Sequence, residues 1–128
     1  MYLIHKAYFE YEGWHGEIDF LIKDKIKKTK NNKWKYEVYD TKLSTIAKPE
    51  HIIQICIYSE WIAKQQDNEL PTFMYLIVGD EAEKKYKSKD YLLYVQKHKE
   101  SYLNFLKSDI LKKNTLPERC NFCAMCDW

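Results

Sequence analysis

Glycine and proline are scarce in this sequence, with three residues of each among 128. Apolar residues make up 45% and aromatic residues 16%, a composition that excludes collagen-like and disordered chains. No apolar run approaches the roughly 18 residues that a membrane-spanning helix needs. A chain of this length buries enough surface to form a core. We therefore expect a single folded domain that has no membrane partner.

An excess of one charge sign is also missing, because the formal net charge is only +2. Lysine is nevertheless concentrated locally: seven lysines lie between residues 23 and 35, against the single acid Asp24. This segment is a candidate contact for a nucleic-acid backbone, with salt-dependent affinity and no base specificity. The alternative is the solvated tip of a hairpin. Trp14, Trp34 and Tyr39 are candidates for base stacking, with core packing as their alternative.

Cysteine is limited to four residues, and three of them fall within the last nine positions. Cys120, Cys123 and Cys126 form a C-x2-C-x2-C pattern, which suits thiolate ligation of a metal better than a disulfide scaffold. The first residues do not resemble a signal peptide, so we expect a reducing, cytoplasmic compartment. The remaining Cys56 is either a fourth ligand or a small buried apolar side chain in a helix.

The apolar pattern predicts strand, strand, strand, helix, strand and helix in that order. The predicted strands cover residues 2–11, 14–23, 34–43 and 71–79, and the helices cover residues 49–66 and a stretch from residue 88. In the second strand one face is predicted to carry Ile18, Phe20 and Ile22, and the other Glu17, Asp19 and Leu21. The fold class is therefore α/β, with a mixed central sheet flanked by helices.

Acidic and basic side chains converge on the predicted second and third strands. Asp40 and Lys42 lie two residues apart, so both side chains point to one face of the sheet. The meander places Asp19 on the adjacent strand, and two neighbouring carboxylates repel unless a cation lies between them. Oxygen ligands of this kind suit Mg²⁺ or Mn²⁺. Lys42 would then position a water or stabilise a phosphate, whereas the alternative is a solvated strand face.

The helix after the third strand carries Gln54 and Tyr58 four residues apart, on one helical face. A glutamine among isoleucines on an inner face requires a polar partner. The alternative is that Gln54 bonds a neighbouring backbone group and Tyr58 belongs to the core.

Three short motifs together resemble those of PD-(D/E)XK nucleases of the RecB-like branch. Residues 16–19 are similar to the G-h-h-D motif (h, apolar), residues 40–42 to (D/E)-x-K, and residues 54–58 to Q-x-x-x-Y, in that order. Residues 36–43 and 117–128 further resemble a bacterial and archaeal group of RecB-like nucleases with a cysteine-rich iron–sulfur end. These nucleases are related to the CRISPR-adaptation exonucleases. The resemblance covers essentially the whole chain.

The resemblance implies a restriction-endonuclease-like nuclease core at residues 1–116 and a partial cysteine-rich tail at 117–128. It also implies metal-dependent hydrolysis of DNA, favouring single strands or ends as an exonuclease would, with RNA left open. Asp19, Asp40 and the Thr41 carbonyl would hold Mg²⁺ or Mn²⁺. Lys42 would assist the attacking water, and Gln54 and Tyr58 would position substrate or support the site.

The sequence departs from this family at both ends, so we expect a truncated chain and a further part of the complete protein. The family's helical segment before the first strand, with its acidic or histidine site residue, has no match. A four-iron, four-sulfur cluster needs four thiolates, but only Cys123 and Cys126 match the family, and Cys120 has no counterpart. We therefore expect little bound iron. Zinc held by three cysteines and a histidine, or no metal, remains an alternative.

Two rival functions follow from these departures. The first is a catalytically incomplete nucleic-acid-binding module of the same fold, which the missing acidic residue favours. The second is a cysteine-rich structural domain using zinc, which would leave the strand motifs unexplained.

Overall fold

The computed structural model describes residues 2–80, 82–108 and 118–120. The chain divides into two compact units, residues 1–97 and 98–128. Within the described residues there are five strands and two helices, an α/β architecture. They are β1 (Leu3–Tyr11), β2 (Trp14–Lys28), β3 (Trp34–Thr41), α1 (Pro49–Gln65), β4 (Phe73–Ile77), β5 (Glu83–Lys87) and α2 (Ser88–Lys107). The predicted boundary at residue 116 stays a prediction, because it falls outside the described residues.

The strands of the first unit form one mixed sheet in the order β1-β2-β3-β4-β5. All neighbours are antiparallel except β3 and β4, which are parallel. Helix α1 connects β3 to β4, since a parallel pair needs a crossover connection. The predicted three-strand meander, the helix after it and the apolar fourth strand are all confirmed.

Strand β5 was not predicted, and the chain continues directly from it into α2. Its sequence is Glu-Lys-Lys-Tyr-Lys, which has no alternating apolar pattern. The strand forms because the β4 backbone offers partners, with Tyr75 opposite Lys85 in the register. Lysine-rich edge strands are common, since the charges discourage pairing with other chains.

Strand β2 is longer than predicted and changes its buried face. Ile18 and Leu21 were assigned to opposite faces, but they are 0% and 4% exposed and belong to one core cluster. That assignment was wrong: the pairing of β1 with β2 is interrupted at Lys6 and Asp19, and Lys6 has a left-handed φ of 58°. This irregularity shifts the alternation of buried positions.

The core of the first unit lies between α1 and the sheet. Ile55 of α1 is fully buried with Val38 of β3 and Leu76 of β4, and each such side chain stabilises the fold by about 1.5–3 kcal/mol. Cys56 is also fully buried, as expected of a small apolar side chain.

Helix α1 begins at Pro49, whose missing N–H has no partner to lose in the first turn. Among the described residues, neither helix is long and apolar enough to cross a bilayer.

Candidate active site

Asp19 on β2 is held by the strands on both sides. Its Oδ2 accepts hydrogen bonds from the Thr41 backbone N–H at 2.9 Å and from Thr41 Oγ1 at 2.6 Å. Its Oδ1 lies 3.3 Å from Lys6 Nζ on β1. Lys6 also contacts Glu17 at 2.8 Å. The Asp19 carboxylate is therefore fixed in orientation beside the end of β3.

Asp40 and Lys42 meet at the same end of β3, as their spacing predicted. Lys42 Nζ lies 2.6 Å from Asp40 Oδ2, and the Asp40 side chain is only 4% exposed. This ion pair does not have the alignment of a hydrogen bond. The Lys42 backbone N–H donates to the Ile77 carbonyl at 2.8 Å, which extends the pairing of β3 with β4 and sets the direction of the lysine side chain.

Gln54 and Tyr58 of α1 extend this pair into a line of polar groups. Lys42 Nζ donates to Gln54 Oε1 at 2.7 Å, and Gln54 Nε2 donates to the Tyr58 hydroxyl at 2.7 Å. The predicted polar partner of Gln54 is thus Lys42. Because an ammonium group only donates, the Gln54 amide oxygen must face Lys42 and its N–H must face Tyr58. Tyr58 accepts that bond, so its own hydroxyl proton is directed to another acceptor.

Gly16, the first residue of the G-h-h-D motif, makes space for this arrangement. A Cβ at this position would lie 2.9 Å from Phe9 Cε1 and 3.2 Å from Tyr58 Cε1. The Phe9 and Tyr58 rings meet edge to face with centroids 5.4 Å apart. The glycine therefore lets both rings lie directly against β2.

The two carboxyl groups have opposite pKa shifts. Burial raises the pKa of Asp40, the nearby Lys42 partly offsets this, and the Asp19 charge raises it further. Partial burial also raises the pKa of Asp19, but hydrogen bonds from Thr41 and the Lys6 contact outweigh burial and leave it below its ordinary value. Asp19 is thus the more easily ionised group, and the Asp40 carboxylate is the one that gains most from added positive charge.

Burial also raises the pKa of the Tyr58 hydroxyl, with the Gln54 hydrogen bond opposing the shift. Tyr58 consequently remains a protonated hydrogen-bond donor at neutral pH.

The oxygen donors at this end of the sheet suit a hard divalent cation. Mg²⁺ commonly takes one or two protein carboxylates and keeps several waters, and Asp19 and Asp40 supply two. Among residues 2–80, 82–108 and 118–120 there is no group of three or more His, Cys, Asp or Glu side chains that could hold a metal. Thr41 follows Asp40 in the chain and donates two hydrogen bonds to Asp19, and its carbonyl remains a predicted ligand.

The cysteine tail is described only at Cys120, whose side chain is exposed. Cys123 and Cys126 lie outside the described residues, so the iron–sulfur cluster stays a prediction.

The lysine-rich segment forms the opposite end of the β2–β3 pair, and its side chains mostly contact this chain. Lys23 Nζ lies 3.5 Å from the centroid of the Trp34 ring. Lys33 pairs with Asp67 at 3.2 Å and Lys35 with Glu69 at 2.9 Å. These acids belong to the connection between α1 and β4, so they neutralise part of the segment's positive charge.

A pocket of about 280 Å³ adjoins the polar line, and its walls include Gln54 and Tyr58. We call it the Trp14 pocket. Its lining residues are Phe9, Trp14, His15, Glu50, Ile53, Gln54, Ile57 and Tyr58. Trp14 was considered at the sequence level for stacking, but His15 and Glu50 were not singled out.

Lys6 is the other residue of the site that the sequence analysis missed. The sequence does indicate this contact. A two-residue turn at Glu12 and Gly13 pairs the residues on either side of it, and counting outward from the turn along both strands brings Lys6 to Asp19.

The chain matches no protein-family model and has no significant match among curated proteins. Function is therefore inferred from the three motifs and from the contacts among their residues.

Proposed function

We propose that this chain is a metal-dependent nuclease of the PD-(D/E)XK class, with a restriction-endonuclease-like fold, that hydrolyses DNA phosphodiester bonds from a strand end. The observation that carries the proposal is the position of Lys42. Its ammonium group is held between the buried Asp40 and the Gln54 amide, and Asp19 accepts hydrogen bonds from Thr41, the residue between Asp40 and Lys42. The residues of all three motifs thus contribute to one site.

Asp19 and Asp40, with the Thr41 carbonyl, would hold Mg²⁺ or Mn²⁺. When bound, the cation would neutralise charge on the phosphate and lower the pKa of an attacking water. The burial of Asp40 supports this assignment, because an ionised carboxylate in a buried position is costly without opposite charge nearby. Lys42 supplies one such charge and Lys6 pairs with the neighbouring Asp19, so a bound cation would share both carboxylates with these two lysines.

Lys42 would contact the phosphate or the attacking water and stabilise charge that develops as the phosphorus–oxygen bond breaks. Gln54 is a positioning residue in this scheme, since its amide oxygen fixes the direction of the ammonium group. Tyr58 in turn fixes the Gln54 amide and directs its hydroxyl proton toward bound substrate.

A non-catalytic nucleic-acid-binding module of the same fold is the second candidate. Two observations favour it: each aspartate already has a lysine partner, Lys6 or Lys42, and the described residues lack a third acidic or imidazole ligand. Such a module would bind DNA without cleaving it.

The test is cleavage of end-labelled single- and double-stranded DNA with Mn²⁺ or Mg²⁺, with RNA in parallel. We expect cleavage that EDTA abolishes. Asp40→Asn should lower the rate of DNA cleavage by about 100-fold or more, since it removes one of the two carboxylate charges that would hold the cation at the reacting phosphate. Asp67→Asn is the matched control, because Asp67 also pairs with a lysine but lies at the hairpin end.

Equal activity of Asp40→Asn and the parent would contradict the proposal. DNA binding without cleavage, unchanged by either substitution, would support the non-catalytic module instead.

A further inference from the structure

The Trp14 pocket shares two side chains with the candidate active site. Gln54 lines the pocket and also bonds the ammonium group of Lys42 at 2.7 Å. Tyr58 lines it and accepts from Gln54. A ligand in the pocket is therefore separated from Lys42 by a single side chain.

The pocket has one wall made of aromatic and aliphatic groups. Phe9, Trp14, Ile53 and Ile57 supply this wall. Gly16 keeps the Phe9 ring close to the β2 backbone, where a Cβ would approach it to 2.9 Å. Phe9 is only 4% exposed, so the half-buried Trp14 is the aromatic side chain of this wall that a ligand can contact, and it favours a planar, uncharged group that can stack.

The polar wall of the pocket consists of His15, Glu50, Gln54 and Tyr58, and its lining includes no lysine or arginine. Glu50 contributes a carboxylate, one helical turn before Gln54 on α1, whereas Lys42 does not line the pocket. A phosphate is repelled by Glu50 and attracted by Lys42, so it belongs outside the pocket. The N–H groups of a nucleobase can instead donate to the Glu50 carboxylate, and the Tyr58 hydroxyl can donate to a base carbonyl or ring nitrogen.

The opening of the pocket is consistent with a strand end as the ligand. His15 and Glu50 are both exposed, so the pocket can be entered from solvent. Its volume of about 280 Å³ is small, which suits one residue of a polymer rather than a stretch of duplex.

We propose that the Trp14 pocket binds the terminal nucleobase of the DNA strand whose phosphate lies beside Lys42. The inference rests on the proposed nuclease function and adds a specific subsite to it. Trp14 stacks on the base, while Glu50 and Tyr58 form hydrogen bonds with the edge of the base. The phosphate beside Lys42 is then the one that follows the terminal nucleotide of the strand.

The first experiment measures binding in EDTA, so that it does not depend on catalysis. Single-stranded oligonucleotides carry either a normal or an abasic residue at the 5′ end or at the 3′ end, and affinity is measured by fluorescence anisotropy. For one of the two ends, the abasic residue should weaken binding by the parent chain by about tenfold, the effect of one lost stacking contact. Trp14→Ala should lose this difference.

Trp34→Ala is the matched control, because Trp34 is likewise the first residue of a strand but lies at the hairpin end. It should retain the tenfold preference for a terminal base even where overall affinity falls. If Trp14→Ala does not fold, a terminal 5-iodouracil photo-crosslinked to the parent chain replaces the variant. Crosslinks should map to Phe9, Trp14 or His15.

The outcomes separate the two proposals. Base-dependent binding that Trp14→Ala abolishes, in a chain that never cleaves DNA, supports the pocket and contradicts the nuclease. Cleavage with no dependence on the terminal base supports the nuclease and overturns the pocket. Crosslinks only outside the pocket, or no binding of single strands at low salt, also overturn it.

Discussion

The hairpin end of the β2–β3 pair and the end that holds Asp40 both pair lysines with carboxylates, but in different surroundings. At the hairpin end Lys33 contacts Asp67 at 3.2 Å, and the two side chains are 62% and 13% exposed. At the other end Lys42 contacts Asp40 at 2.6 Å, and the two side chains are 21% and 4% exposed. Both members of the second pair are less accessible to water, and the lysines differ most.

The difference shows why an ion pair alone does not identify a functional site. Hydrogen bonds from Thr29 and Asn31 and the nearby Lys33 hold the pKa of Asp67 below its ordinary value. Burial, in contrast, raises the pKa of Asp40 despite its lysine partner. The fold therefore stabilises the anionic form of Asp67, whereas burial destabilises the anionic form of Asp40. Perturbed pKa values caused by burial beside a charged partner are typical of functional sites.

The largest expected effect on stability comes from removing the ammonium group at the buried end. Lys42→Met keeps the apolar stem but leaves Asp40 without its charge partner, and should lower the free energy of unfolding at pH 7 by about 3 kcal/mol. Lys33→Met at the exposed end should change it far less. Urea denaturation of both variants measures the contrast, and equal losses would show that burial does not distinguish the two ends.

A smaller effect of opposite sign is expected from Asp40→Asn. The pKa of Asp40 is raised in the folded chain, so ionising it as pH increases through that pKa lowers stability. The variant should therefore be more stable than the parent at pH 7. This advantage should vanish below the ordinary pKa of aspartate. A less stable variant at pH 7 would show that Asp40 stabilises the fold.

The smallest effect is expected from Asp67→Asn, which should be slightly less stable than the parent at pH 7. The pKa of Asp67 is lowered in the folded chain, so its stabilisation is present above the ordinary value and is lost as pH falls through the folded value. Thermal unfolding of Asp40→Asn and Asp67→Asn across pH 2–7 tests whether the two substitutions change stability in opposite directions. If both variants were stabilised, or both destabilised, at pH 7, the two ends would not differ in this respect.

Much of the fold was predictable from local patterns. The alternating residues of β2 and β3, Pro49 at the start of α1 and the apolar run of β4 each gave the correct element. Strand β5 was not predictable in this way, because its charged sequence adopts a strand only through backbone pairing with β4. The burial of Leu21 was also missed, because no local pattern indicates the interruption of the β1–β2 pairing at Lys6.

The candidate active site was likewise predictable only in part from local spacing. The spacing of Asp40 and Lys42, and of Gln54 and Tyr58, was enough to place each pair on one face of its element. That Lys42 reaches both Asp40 and Gln54 depends on the packing of α1 against the sheet. The contact of Lys6 with Asp19 could have been predicted by counting from the turn at Glu12 and Gly13, which sets the register of β1 against β2.

The sequence by itself determined which residues carry charge, which faces are apolar and in what order the elements occur, because these properties follow from local chemistry and short-range spacing. Only the tertiary structure decided that burial dominates the pKa of Asp40, whereas hydrogen bonds and a lysine dominate that of Asp67. The two ends of the sheet contain the same kinds of residues, and the pKa of each group depends on the atoms that exclude water from it. Those atoms come from distant parts of the chain, so no local pattern encodes them.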